Sequence, residues 1–198
     1  MAVDSERQEA ALVSMLIIIA KIPRLFRDIT SAVCSTPPCQ SRAAELIIQI
    51  RRIRVLLQAW RDQNIPDVTA TQDPTHCSTY SRPMMLYHVA TIYVDRLCTS
   101  LHWTSTSDSV IMEQEAQQAA RIAHTIIVDA ATSSGAEAVL LAARLPMIKA
   151  TLDTSEEWAQ CLQDSDDRRP FILPRATFQR WCDLFGRTTL PGSRAGDV

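Results

Sequence analysis

Apolar residues recur along this chain at alternating steps of three and four, the spacing that lines one face of a helix. Over 41–61 they are Leu46, Ile50, Ile53, Leu57 and Trp60; over 109–131 they are Met112, Ala116, Ala119, Ala123, Ile126 and Ala130. The second stripe is rich in alanine, so a neighbouring helix can approach it closely. Beside it, Glu113, Gln114, Gln117, Gln118 and Arg121 are expected to face water. Over 84–102 the apolar surface broadens to Met85, Leu86, Val89, Ala90, Ile92, Tyr93, Leu97 and Leu101, which predicts a central helix.

The ends of the chain carry further helical signals. Residues 9–29 combine a dense aliphatic run with Lys21, Arg24 and Arg27 and read as one helix, packed in the core or laid on a membrane or partner. Residues 135–152 are apolar around Pro146, which lacks an N–H and predicts a kink. Thr154, Ser155, Glu156 and Glu157 have capping-box form, with Thr154 accepting from the backbone of Glu157 and Glu157 reaching back. Phe178, Trp181 and Phe185 share a face, and Gly186 suits the first position past a helix end. Linkers rich in Ser, Thr, Pro or Asp are expected at 34–41, 62–83, 103–109 and 164–173, with a mobile loop over 62–83 and a disordered tail over 187–198. No alternating strand pattern appears. The expected fold is all-α, an irregular bundle of about six or seven helices forming a single domain over 1–186.

Composition narrows this further. The chain has 198 residues, of which 46% are hydrophobic, enough for a real core. Only 4 glycines among them leave little material for the tight turns of a sandwich or barrel. A formal net charge of -2 sets up no global field for nucleic acid or anionic membrane. The longest aliphatic run, Ala10 to Ala20, is shorter than the roughly 20 residues of a spanning helix. Asp4, Glu6 and Glu9 precede it where a secretory leader would be basic. No membrane span is expected, and the protein is expected inside the cell. There the cysteines Cys34, Cys39, Cys77, Cys98, Cys161 and Cys182 are expected as thiols. They form no C-x-x-C pair, so no zinc site or other cofactor is predicted.

Candidate chemistry is sparse. His88, Asp95 and His102 recur every seven residues and so lie along one helical stripe, about 10 Å between neighbours. That is too far for a shared metal or a direct His–Asp bond, and a polar surface stripe is the preferred reading. Asp95 could pair with Arg96 or with an Arg of another helix. The run Asp164 to Asp167 sits beside Arg168 and Arg169 and reads as a solvated turn. Nucleophile elbows, H-E-x-x-H pairs and phosphate-cradling glycine loops are all missing, and no catalytic residue is assigned. Arg51, Arg54 and Arg61, with Arg42 and Arg52 nearby, form a basic row opposite the Leu46–Trp60 stripe. It could meet acidic protein or nucleic acid, although a solvated helix back is the simpler account. A pocket between helices would fall near Trp60, Tyr87, His88 and Tyr93.

Several of these segments together resemble a known family. The Leu46 to Trp60 helix is similar to the L…L…W helix in the regulatory, middle-homology-type region of fungal zinc-cluster transcription factors. Residues Tyr87 to Leu97 look like the Y-H-x-A-x-I-Y-x-x-R-L helix that follows it there. Residues 115–131 resemble the next helix, and Thr154 to Trp158 match the T-x-E-E-W near the C-terminal end of such regions. The resemblance spans about 42–162. It implies a nuclear, non-enzymatic helical regulator, of the kind that controls metabolic or secondary-metabolite gene clusters through protein contacts or a small effector. The family reads DNA through a six-cysteine, two-zinc cluster whose C-x-x-C pairs and basic run are absent here. No DNA-reading or zinc-binding residue is therefore carried over. Two other readings stay open: a small helical biosynthetic enzyme or ligand-binding protein, and a homo-oligomeric scaffold using the alanine stripe.

Overall fold

Pro23 sets the first structural event of the chain. In the computed structural model, which describes residues 2–34, 40–65, 81–101, 106–132, 142–163 and 175–186, helix α1 (Ala2–Ile19) stops just before it and α2 (Ile22–Cys34) starts around it. Proline has no N–H for the carbonyl four residues back, and its ring collides with that carbonyl, so the α1 ladder cannot run through. At the junction Lys21 N–H donates to the Ile18 carbonyl at 3.1 Å, tightening the last turn. The single helix expected over 9–29 is therefore two helices. Pro23 sits in the first turn of α2, where a missing N–H costs nothing.

The other helices among the described residues are α3 (Gln40–Asn64), α4 (Ser81–Ser100), α5 (Thr106–Thr132), α6 (Leu145–Asp153), α7 (Ser155–Gln163) and α8 (Arg175–Leu184). No strand occurs among the described residues, and the all-α bundle stands. Only Thr154 separates α6 from α7. The stripe Leu46, Ile50, Ile53, Leu57 and Trp60 is buried throughout. In the α5 stripe Met112, Ala116, Ala119 and Ala123 are buried, and Ile126 and Ala130 are half-buried as the helix leaves the core. The small side chains let α4 and α5 pack along most of their length, the most extensive helix pair in the fold. Helix α4 is buried from Met85 to Ser100 apart from half-buried Thr91 and Tyr93. It is the axis: α1, α2 and α3 lie on one side, α5 and α6 on the other, around one apolar core.

Pro146 does not kink a long helix. It occupies the first turn of α6, with Arg144 as the N-cap residue, so it starts the helix rather than bending one. Thr154 and Glu157 also depart from the expected capping box. The Thr154 hydroxyl donates to the Ala150 carbonyl at 2.7 Å, closing α6, while Glu157 pairs with Arg180 of α8 at 2.7 Å. Gly186 meets its expectation: it follows α8 with φ 76°, and its N–H donates to the Asp183 carbonyl. The boundary after α3 shifts, because the helix continues through Asn64 rather than ending at Arg61. The far end of the expected 62–83 loop shifts as well, since Ser81 to Pro83 already belong to α4. The expectations for 66–80, His102, Cys39, Cys77, the Asp164 to Asp167 run and the 187–198 tail lie outside the described residues.

Trp60 fastens α3 to α1. Its indole N–H lies 3.0 Å from both the Ala11 carbonyl and the Ser14 hydroxyl, deep in the bundle. Phenylalanine keeps most of the ring and removes the donor. Trp60→Phe is expected to lower the urea-unfolding free energy by about 1–2 kcal/mol. A loss of only a few tenths would mean that this donor does not hold α1 in place.

Candidate functional site

Among the described residues, charged side chains inside the bundle belong to two groups. The inner one centres on Arg96 of α4, which is 0% exposed. Its Nη2 donates to the Thr151 carbonyl at 3.1 Å, and its Nη1 lies 2.8 Å from Glu113 Oε2. Gln117 Nε2 reaches both Glu113 Oε1 and the Thr151 carbonyl at 2.8 Å. The Thr151 hydroxyl donates to the Met147 carbonyl and accepts from Trp181 Nε1. The guanidinium also lies 4.5 Å from the Trp158 ring centroid, a cation–π contact cut off from water. Burial pushes the Glu113 carboxyl above the usual carboxylate range, while Arg96 and Gln117 pull it back. Glu113 and Gln117, expected to be wet, are thus buried. Helix α5 is covered by α4, α6 and α7, so more than one of its faces is interior.

The second group lies at a groove between α3, α4 and α5, about 350 Å³ in volume and open to solvent. At one end Arg54 of α3 bridges Asp95 of α4 and Glu115 of α5. Asp95 Oδ1 is 3.6 Å from Arg54 Nε, whereas its Oδ2 is buried with no hydrogen-bond partner. Burial raises the Asp95 carboxyl to about 8; Arg54 and Arg96 oppose the rise, and Glu115 and Glu113 add to it. Toward the other end is His88, whose Nε2 is also buried without a partner and which burial lowers to about 4. The apolar wall includes Leu57, Met84, Tyr87, Val94 and Ile122. His88 and Asp95 are therefore not a surface stripe. They form one inner wall.

The residues singled out from the sequence separate here. Trp60 and Tyr87 stack at 5.7 Å with 16° between ring planes, and Tyr87 meets His88 edge-on at 5.1 Å. Tyr93 points elsewhere, to a cluster with Phe26, Trp181 and Phe185 at 5.9, 6.0 and 6.3 Å. That cluster borders a smaller, mostly apolar pocket of about 220 Å³ formed with Ile19, Pro23 and Leu86. The four-residue pocket expected from the sequence is thus divided between two sides of α4. Arg51 and Arg61 are exposed, as a solvated helix back requires, but Arg54 of the same row turns inward and is half-buried. Spacing puts Arg54 in an exposed basic row and gives no sign of Glu115, yet both line the groove. Both lie on polar faces, and only the helix crossing brings them together.

Among the described residues no group of three His, Cys, Asp or Glu side chains could hold a metal ion. Cys98 and Cys182 are buried, and burial pushes the Cys98 thiol up to about 11, a packing role rather than a nucleophile's. No described helix is long and apolar enough to cross a membrane. Large apolar side chains do reach the surface, including Val13, Leu16 and Ile17 on α1 and Ile48, Val55 and Leu56 on α3. No family model, curated protein or solved structure matches the chain.

Proposed function

We propose that this chain is a non-enzymatic regulatory module of the kind found in fungal zinc-cluster transcription factors, acting in the nucleus through a small effector or a protein partner. The observation that carries this reading is the groove between α3, α4 and α5. Its walls come from the helices whose sequences resemble the family's regulatory region, and it offers binding surface without a built catalytic pair. His88 and Asp95 stand about 10 Å apart along α4, beyond proton-transfer reach of one another. Apolar side chains exposed on α1 and α3 supply surface for protein contact. Control of a metabolic or secondary-metabolite gene cluster is the role the resemblance suggests.

A specific observation keeps the small-enzyme reading in view: His88 and Asp95, each with a buried, unbonded polar atom, both line one groove. The groove is open, however, and a catalytic site of this size ordinarily closes around its substrate. The test is a fusion of the full chain to an unrelated DNA-binding domain, scored on a reporter in fungal cells together with localisation of the untagged protein. A several-fold change in reporter output, with protein in nuclei, is expected. An unchanged reporter, or protein absent from nuclei and recovered only with metabolic enzymes, would overturn the proposal.

A further inference from the structure

Helix α1 shows an apolar stripe to solvent. Ala10, Val13, Ile17 and Ala20 follow one another at steps of three, four and three, so they share a face, with Leu16 beside them. Each is exposed, Val13 at 51%, Leu16 at 46% and Ile17 at 60%. A contiguous apolar stripe on a folded chain marks a contact surface. Charge divides its two ends. Glu6 and Glu9 border the same shallow depression as Val13 and Ile17. At the far end Lys21, Arg24 and Arg52 border a second depression with Ala20 and Leu56. Among the described residues no acid lines the basic depression and no base lines the acidic one. Arg24 stands 3.9 Å from Asp28, yet its side chain stays largely exposed.

We propose that this face of α1 binds the same face of a second copy of the chain, the two helices running antiparallel about a two-fold axis at the level of Met15. Charge complementarity decides the occupant. About that axis, positions equally far before and after Met15 lie opposite one another. Val13 then faces Ile17, Ala10 faces Ala20, Glu9 faces Lys21 and Glu6 faces Arg24, and the symmetry makes each pair twice. Both kinds of charged pair are of opposite sign. A parallel arrangement would set Glu9 on Glu9 and Lys21 on Lys21, which like-charge repulsion disfavours. An anionic membrane fits the face less well, since Glu6 and Glu9 would lie against its headgroups. The alanine stripe of α5 is buried from Met112 to Ala123, so it offers a second copy no surface and leaves self-association to α1. With 18 residues α1 is about 27 Å long. One helix face buries less than the roughly 800 Å² per partner of a standard interface, so the dimer is reversible at micromolar concentrations. The inference is independent of the regulator reading, and a silent reporter leaves it standing.

The test is sedimentation velocity of the full chain at low ionic strength, from about 1 to about 300 µM, a span that brackets micromolar association. The apparent mass is expected to rise from 22.1 kDa toward twice that value. Ile17→Glu places a carboxylate in the apolar centre and is expected to weaken association at least roughly tenfold. Glu9→Lys and Lys21→Glu each turn both Glu9–Lys21 pairs of the dimer from attractive to repulsive, and each is expected to weaken it roughly tenfold. An equimolar mixture of these two variants restores opposite signs at both pairs, and is expected to associate within about threefold of the parent. All the substituted positions are exposed, so the variants keep the fold, which circular dichroism matching the parent verifies. A parent that stays monomeric throughout, single variants that associate as tightly as the parent, or a mixture that stays monomeric would each overturn the proposal. A monomeric parent that sediments with phosphatidylserine vesicles would also overturn it, and would assign the face to a bilayer.

Discussion

Replacing Arg96 by alanine is expected to lower the unfolding free energy by about 3–5 kcal/mol, the loss typical of stranding one member of a buried ion pair. Small domains hold only about 5–15 kcal/mol in total, so the variant should be near its folding limit. The physical reason is the company Arg96 keeps. Removing it leaves the Glu113 carboxylate without a cation, takes one donor from the Thr151 carbonyl and uncovers the Trp158 ring. Glu113 can respond by holding its proton, so the loss should grow as pH rises. A double variant, Arg96→Met with Glu113→Leu, removes both charges and is expected to recover most of the loss, because Gln117 still bonds the Thr151 carbonyl. Urea unfolding of both variants against the parent decides it. A loss below about 1 kcal/mol in Arg96→Ala, or no recovery in the pair, would mean that the stranded carboxylate is not what matters.

Stability should also fall as pH is raised from about 6.5 to about 8, by about 2 kcal/mol. Asp95 is the source. Burial pushes its carboxyl up to about 8 from an ordinary 3.8, so between those limits the folded state holds a proton that the unfolded state has released. Stability therefore declines with pH across that window. His88 acts in the opposite sense. Lowered from 6.5 to about 4, it is neutral in the fold where the unfolded chain is protonated, and stability rises with pH between those values. The two slopes offset each other below about 6.5, and Asp95 acts alone above it. The groups facing Asp95 are Arg54 from α3, Glu113 and Glu115 from α5, and its neighbour Arg96, and their opposed effects leave burial in control. Asp95→Asn should remove the decline above pH 6.5, while His88→Phe should extend it down toward pH 4. A flat parent profile over that upper range, or a decline that survives Asp95→Asn, would refute the assignment.

Spacing made the helices legible because each stripe reports one face. The steps from Leu46 to Trp60 and from Met112 to Ala123 identify residues that are indeed buried. One-dimensional spacing does not report how many faces a helix buries. Glu113 and Gln117 sit beside the α5 stripe, look like its solvent side, and are interior because α4, α6 and α7 enclose that helix. The signal that could have revealed them was Arg96, a cation set among the buried apolar residues of α4, which needed a buried acid from elsewhere. His88 and Asp95 were legible as a pair two turns apart, but not as buried, since that depends on where Arg54 and Glu115 cross them. Prolines were clear in kind and less clear in effect. Pro146 could bend a helix or begin one, and the neighbouring turn rather than the ring decides which.

Thr151 gives the bundle its mode of opening. A single residue of α6 accepts from α4 and α5 through its carbonyl and from α8 through its hydroxyl. Peeling away any one of these segments strands a donor or acceptor in a dry interior, so partial detachment gains little freedom and exposes an uncompensated group. Amides along α4, α5 and α6 should consequently exchange with deuterium at a common, global rate, rather than in a sequence running inward from the carboxyl-terminal segment.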